Sequence, residues 1–161
     1  HYLGRLIAME DLTSILRRMT VIAYEDIGLA NPDIVSRMDA CARGSERVGF
    51  PEARILLSMM TIDMALSPKS NSAVSSIDKA LDEIMSGVTP KIPNHLINVA
   101  NYEDKEKYIY PHSYKDALVY QQYLPDELKN NTYYTGLETG KYERALKDRN
   151  KLIKTVLNKK K

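Results

Sequence analysis

From residue 11 to residue 87 the apolar residues recur at i, i+3, i+4 and i+7, block after block, and each block ends at a glycine or a proline break. That spacing places one apolar stripe along a helix, and no segment shows the sustained alternation that would build a sheet. Leu12, Ile15, Leu16, Met19, Ile22 and Ala23 form the first stripe, with Asp11 as a plausible N-cap and Gly28 as a stop. Tyr2, Leu3, Leu6 and Ile7 read as the last turns of an earlier helix. Asn31-Pro32-Asp33 has the form of a helix start, with a cap, a proline at the first position and an acid in the first turn. Ile34, Met38, Cys41 and Val48 follow as its stripe, to Gly49. Phe50-Pro51-Glu52 opens a helix whose apolar residues, Ile55 to Leu66, surround it almost completely, which marks it as the central one. After the break Ser67-Pro68-Lys69-Ser70-Asn71, the residues Ala73, Val74, Ile77, Leu81, Ile84 and Met85 give a further stripe, which stops at Gly87. Pro90 and Pro93 mark a loop, with Asn94 capping a short turn.

From about Asn101 to Gly140 the period is lost. Nine of the eleven tyrosines fall between Tyr102 and Tyr142, and the reading is irregular chain with one or two short helices, one of them after Pro125-Asp126-Glu127. Tyr142, Ala145, Leu146, Ile153, Val156 and Leu157 then line a last helix. The expected fold is all-α, a bundle of four or five antiparallel helices. A single domain over 1–161 is expected to comprise a helical core (1–100), an irregular Tyr-rich segment (101–140) and a basic C-terminal helix (141–161).

Composition narrows the class. Hydrophobic residues make up 43% and charged residues 27% of the 161, the balance of a globular chain. No apolar run approaches the ~20 residues of a membrane span, so no membrane partner is expected. The single Cys41 has no internal disulfide partner, which suits an intracellular, reducing setting and a cytoplasmic location. His1, His95 and His112 are scattered, without metal-ligand spacing. A start at His1-Tyr2-Leu3, inside a helix and without methionine, suggests a piece of a longer protein. The net charge of +2 conceals a division: residues 141–161 carry +7 and residues 1–140 carry −5.

Each chemically suggestive feature has a plainer reading beside it. Gly136-Leu137-Glu138-Thr139-Gly140-Lys141 approaches a phosphate-binding loop, but has three residues between its glycines instead of four, and Tyr142 follows where Ser or Thr would hold Mg²⁺. A turn into the last helix is preferred, and no cofactor is expected. Glu25 and Asp26 lie near a helix C-terminus, where the macrodipole disfavours them. They are either catalytic or partner-contacting carboxylates, or (preferred) an inter-helix pin paired with Arg17, Arg18 or the helix start at Pro32. Pro68, Lys69 and Asn71 belong either to an anion site or, more plainly, to a capped turn. The tyrosines from Tyr102 to Tyr134 either stack on single-stranded bases or, as preferred, pack irregular loops on the core. Lys141, Arg144, Lys147, Lys151 and Lys154 either track phosphates or form a solvated helix face. No Ser/His/Asp, Cys/His or paired-acid arrangement stands out, so no catalytic residue is assigned.

Several phrases taken in order resemble one family. They are Arg17-Arg18, Glu25-Asp26-Ile27-Gly28-Leu29-Ala30-Asn31-Pro32, Pro68-Lys69-Ser70-Asn71, Pro93-Asn94-His95-Leu96, Tyr110-Pro111-His112, Gln121-Gln122-Tyr123-Leu124-Pro125-Asp126-Glu127-Leu128, Tyr133-Tyr134 and Gly140-Lys141-Tyr142-Glu143. The ordered set resembles the C-terminal domain of the RarA/MgsA proteins, relatives of the eukaryotic Werner helicase-interacting protein. The resemblance implies a helical oligomerisation domain, similar to the collar of clamp loaders, that builds a homotetramer. It also implies a whole protein that is a DNA-dependent AAA+ ATPase of replication-fork maintenance and recombination, partnered by DNA and single-stranded-DNA-binding protein. ATP and Mg²⁺ would belong to an N-terminal module, leaving this chain non-catalytic. The chain departs from the family at residues 99–107, which are shorter than the usual Lys- and Gly-containing connector. Two other functions remain open: a DNA- or partner-binding module that uses the basic helix, and a small α-helical enzyme.

Overall fold

The computed structural model describes residues 1–9, 11–97 and 108–158. Six α-helices occur in order: α1 (Tyr2–Ile7), α2 (Leu12–Ile22), α3 (Asp33–Val48), α4 (Ala53–Leu66), α5 (Ser72–Met85) and α6 (Lys141–Asn158). No strand occurs among the described residues, so the fold is all-α. The chain divides into two compact units. The first holds His1–Ser76 and Tyr134–Leu146, and the second Ile77–Tyr133 and Lys147–Lys161. The division therefore falls within α5 and within α6.

The capping chemistry explains most of the boundaries. Asp11 accepts the Ser14 N–H at 2.9 Å and so starts α2; the bonds from Ser14 also hold its carboxyl below the usual range. α2 does not run straight to Gly28. It ends at Ile22 and passes through a π turn, Ala23–Ile27, and a 3₁₀ turn, Gly28–Ala30. Gly28 has φ +45°, and a Cβ there would stand 3.0 Å from the Ser70 carbonyl oxygen, so both conformation and space favour glycine. α3 begins at Asp33, one residue after the Pro32 start that the sequence predicts, and without an Asn31 cap: the Asn31 amide donates to Ser67 Oγ at 3.0 Å. At the start of α5 the Ser72 N–H goes to Ser70 Oγ, 3.3 Å away, and not to Asn71, whose carbonyl accepts the Ser75 N–H. Gly87 ends that helix at φ +92°. Leu128 and Asn131 close hydrogen-bonded turns after Pro125, where a short helix was expected.

All the buried apolar side chains among the described residues lie in the first unit. Ile15, Leu16 and Met19 of α2, Ala23 and Ile27 of the π turn, Ile34, Met38 and Cys41 of α3, and Ala53, Leu57, Met60 and Met64 of α4 form its core. α3 packs along α4 and against α2, and α1 touches α2 and α4. α4 is thus not the enclosed helix that its composition predicts. One face is buried, while Ile55, Met59, Ile62 and Leu66 on the other are 61%, 74%, 58% and 81% exposed. Within the second unit, Ile77, Leu81, Ile84 and Met85 of α5 are exposed too. Burial helps set the cost of truncation. Leu57→Ala is expected to destabilise the first unit by about 2–5 kcal/mol, whereas Ile62→Ala should stay within about 0.5 kcal/mol in the unassociated chain. Urea unfolding at low concentration followed by circular dichroism checks the contrast.

Candidate functional site

Four of the phrases singled out in the sequence meet in the first unit, and they meet through backbone. The Ser70 N–H donates to the Asp26 carbonyl at 2.8 Å, which joins the π turn to the loop after α4. Lys69 extends its ammonium group back over the C-terminus of α4, donating to the carbonyls of Met64 (2.9 Å), Ala65 (3.3 Å) and Ser67. A cation there satisfies carbonyls that lack intrahelical partners and complements the macrodipole. Lys69 is therefore committed to the helix end, and Pro68-Lys69-Ser70-Asn71 is a structural turn. Thr139 Oγ1 donates to the Lys69 carbonyl at 2.7 Å. Gly140 is buried against Ala30, where a Cβ would come within 2.0 Å of the carbonyl oxygen. A nucleotide phosphate does not fit this turn: its Thr139 hydroxyl is taken, and its second glycine backs onto main chain.

One turn into α6, Glu143 is fully buried. Its Oε1 accepts the Ser72 hydroxyl, and Ser72 Oγ accepts Ser70 Oγ at 3.0 Å. Ser72 opens α5 and Glu143 lies in the first turn of α6, so the carboxylate sits by the positive ends of two helices. The buried Tyr134 hydroxyl is nearby; burial first, and the Glu143 charge second, push its pKa up. Neither Ser72 nor Glu143 stands out in the sequence as a site residue. The signal was the phrase Gly140-Lys141-Tyr142-Glu143 itself, where a glycine and an acid precede a helix.

The remaining sequence candidates divide between solvent and the second unit. Arg17, Arg18, Glu25 and Asp26 are exposed, and among the described residues no ion pair joins the acids to the arginines. The pin to Arg17 or Arg18 is thus absent; the Asp26 backbone makes a tie to Ser70 instead. In the second unit a shallow polar hollow lined by Lys91, Pro93, Asn94, His95, Gln122, Pro125, Asp126 and Glu127 unites two more of the phrases. There a ring nitrogen of His95 lies 2.8 Å from the Gln122 carbonyl oxygen. Glu83 of α5, missed in the sequence, accepts from Asn131 Nδ2 (2.8 Å) and from the Tyr133 hydroxyl (2.7 Å). Lys79, one turn earlier, donates to the Thr132 carbonyl at 2.6 Å.

Tyr133 and Tyr134 are half-buried, as packing predicts, but Tyr108, Tyr110, Tyr114, Tyr120 and Tyr123 are exposed, as is His112. For those five the packing expectation is corrected. Lys141, Arg144, Lys151 and Lys154 are exposed on α6, and Lys147 is half-buried. The short connector 99–107, with Tyr102, lies outside the described residues. Among these residues no group of three His, Cys, Asp or Glu side chains is placed to share a metal ion, and no helix is long and apolar enough to cross a membrane.

Two outcomes follow from this cluster. Ser72→Ala removes a donor from a buried carboxylate and should cost about 1–3 kcal/mol, read by urea unfolding. Tyr134 has a folded pKa raised above its unfolded value of 10.0, so its contribution is complete below that pH and is lost as pH rises through the raised value. Stability of the parent chain should fall more steeply above about pH 10 than that of Tyr134→Phe, as measured by unfolding at a series of alkaline pH values.

The family profile described as MgsA AAA+ ATPase C terminal matches residues 1–154. Replication-associated recombination protein A of Bacillus subtilis is 52% identical over 153 residues, 91% of this chain and 36% of that protein. The protein of the same name from Haemophilus influenzae is 30% identical over 83% of the chain and 31% of its own length. The ATPase WRNIP1 of Dictyostelium discoideum is 30% identical over 74% of the chain and 14% of its length. The chain thus spans about a third or less of these relatives. The matching profile is that of the C-terminal domain, distinct from the AAA+ module that carries catalysis. With 154 of its 161 residues matched and helices throughout the core, the chain belongs to the MgsA family of AAA+ ATPases, as its non-catalytic C-terminal domain.

Proposed function

We propose that this chain is the self-assembly domain of an ATPase of replication-associated recombination, and that the bare faces of α4 and α5 join the copies. The observation that carries the reading is the outer face of α4. Ile55, Met59, Ile62 and Leu66 follow one another at intervals of four, three and four residues, the spacing of a seam that packs against another helix. They are exposed by more than half, and α1 flanks them with Leu3 and Ile7 in a shared apolar groove. Leaving such a stripe in water forgoes about 1.5–3 kcal/mol per side chain. A second copy supplies a stripe of the same spacing, and a contact of this kind is two-fold and self-complementary.

α5 offers a second seam of the same kind, in Ile77, Leu81 and Ile84, at intervals of four and three. One two-fold contact makes a dimer; two different ones make a closed tetramer. On this reading the whole protein works in the cytoplasm, at the nucleoid. Its ATP and Mg²⁺ belong to the ATPase module, and its partners are DNA and single-stranded-DNA-binding protein. The names of the relatives, replication-associated recombination protein A, support the role in replication-associated recombination.

Light scattering coupled to gel filtration at micromolar concentration tests the proposal. The expected mass is four times 18.3 kDa. Met59→Glu with Ile62→Glu should leave dimers, as should Ile77→Glu with Leu81→Glu, and all four changes together should leave helical monomers. A parent chain of 18.3 kDa across the whole concentration range would refute self-assembly by this domain.

A further inference from the structure

The second unit holds an aromatic surface whose residues are not those of the proposed α4 and α5 seams. Tyr108, Tyr110, Tyr114, Tyr120 and Tyr123 expose 44% to 59% of their surface within 16 residues of sequence. Rings kept this far in water are not serving as anchors for a core. Ile109, Leu118 and Val119, the branched aliphatic residues among them, are by contrast half-buried. The Tyr110 and His112 rings stand 5.2 Å apart at an interplanar angle of 48°, so neither face is closed by parallel stacking. The backbone that presents them is bent sharply: Asp116 and Ala117 have φ of 58° and 53°, a conformation that non-glycine residues adopt only against a cost. Arg149 of α6 reaches across to this turn, its Nη2 lying 3.4 Å from the Asp116 carbonyl oxygen.

Charge distinguishes what such rings would meet. Asp116 is the one acid from Tyr108 to Tyr123, and Lys115 neutralises it. Asp148 is the one acid in Lys147–Asn158, against Lys147, Arg149, Lys151 and Lys154. Among the described residues, Lys115 follows Tyr114 directly in sequence, and Arg149 reaches the turn by its contact with the Asp116 carbonyl. Lys147, Lys151 and Lys154 fall about 140–200° round the helix from Arg149 at ~100° per residue. They therefore add a positive field within about a Debye length of ~10 Å, not direct contacts at the rings. Separated, exposed rings beside guanidinium and ammonium groups match unstacked bases on a phosphate backbone. They suit a duplex poorly, because its bases are already stacked and its edges lie in grooves.

We propose that the tyrosine turn Tyr108–Tyr123, together with Lys115 and Arg149, is a binding platform for single-stranded nucleic acid. The rings stack on bases without reading sequence, and the cations hold the adjacent phosphates. This surface is separate from the α4 and α5 seams, and the proposal stands or falls apart from them.

The test is fluorescence anisotropy with the 161-residue chain, a labelled single-stranded oligodeoxynucleotide without self-complementarity, and its duplex. Single strand should bind more tightly than duplex. Tyr110→Ala and Tyr114→Ala should each weaken binding about fivefold or more at every salt concentration, and Tyr114→Trp should restore it. Lys115→Gln should flatten the dependence on salt, and Lys151→Gln with Lys154→Gln should matter only at low salt. Met59→Glu with Ile62→Glu on α4, in the other unit, serves as the control: binding per chain should persist when tetramers fall to dimers. The proposal is overturned by equal affinity for duplex, by tyrosine variants that bind as the parent does while keeping its circular dichroism, or by no binding at low salt.

Discussion

The first unit depends on the chain returning to it some sixty residues after leaving, and that return passes through a space with no room for a side chain. Gly140 lies against the Ala30 backbone so closely that even a methyl group would overlap the carbonyl oxygen. Past this point α6 begins, and its first turn buries Glu143 against Ser72. A buried carboxylate is costly unless donors and dipoles compensate it. Here a serine hydroxyl and the positive ends of two helices do so. The same loop is held from the other side by Lys69 on the end of α4 and by the Ser70 amide on Asp26. Removing any one of these ties loosens segments that are distant in sequence. A polar, glycine-rich set of phrases that resembled a site is thus the fastening of the fold.

The apolar residues tell a different story from the polar ones. In the first unit the core is complete without the outer face of α4, for Leu57, Met60 and Met64 already fill the space against α2 and α3. What remains outside keeps the regular spacing of a seam. The same separation appears on α5, whose stripe stays in water within its own unit. The domain thus carries more ordered apolar surface than its core consumes, and it is on this surplus that the proposed self-assembly rests.

Much of the fold was legible in the sequence, because helix boundaries are local chemistry. Asp11, Pro32, Gly49, Gly87 and the Ser67–Asn71 break mark them correctly through caps, fixed φ and missing side chains. Asn31 does not cap α3, because a side chain that can cap locally has competitors brought from elsewhere in the chain, and here Ser67 takes its amide. α4 was misread for a more basic reason. Periodicity records that a face is apolar, but a face covered by its own chain and a face that its own chain leaves exposed have the same period. Glu143 was hidden by its company, since a glutamate in a first helical turn is usually a solvated one. The tyrosines were assigned to packing on the preference of the residue type, and only the exposure of each ring separates Tyr133 and Tyr134 from the five before them.

Whether α4 faces another copy is the point on which the functional account turns, and a cross-link measures it in place. In a Cys41→Ser background, Met59→Cys is oxidised at micromolar concentration, beside Arg17→Cys on the exposed side of α2. The account predicts rapid formation of a covalent species of twice the chain mass from the position on α4, and little from that on α2. Cross-linking at residue 59 no faster than at residue 17 would contradict it.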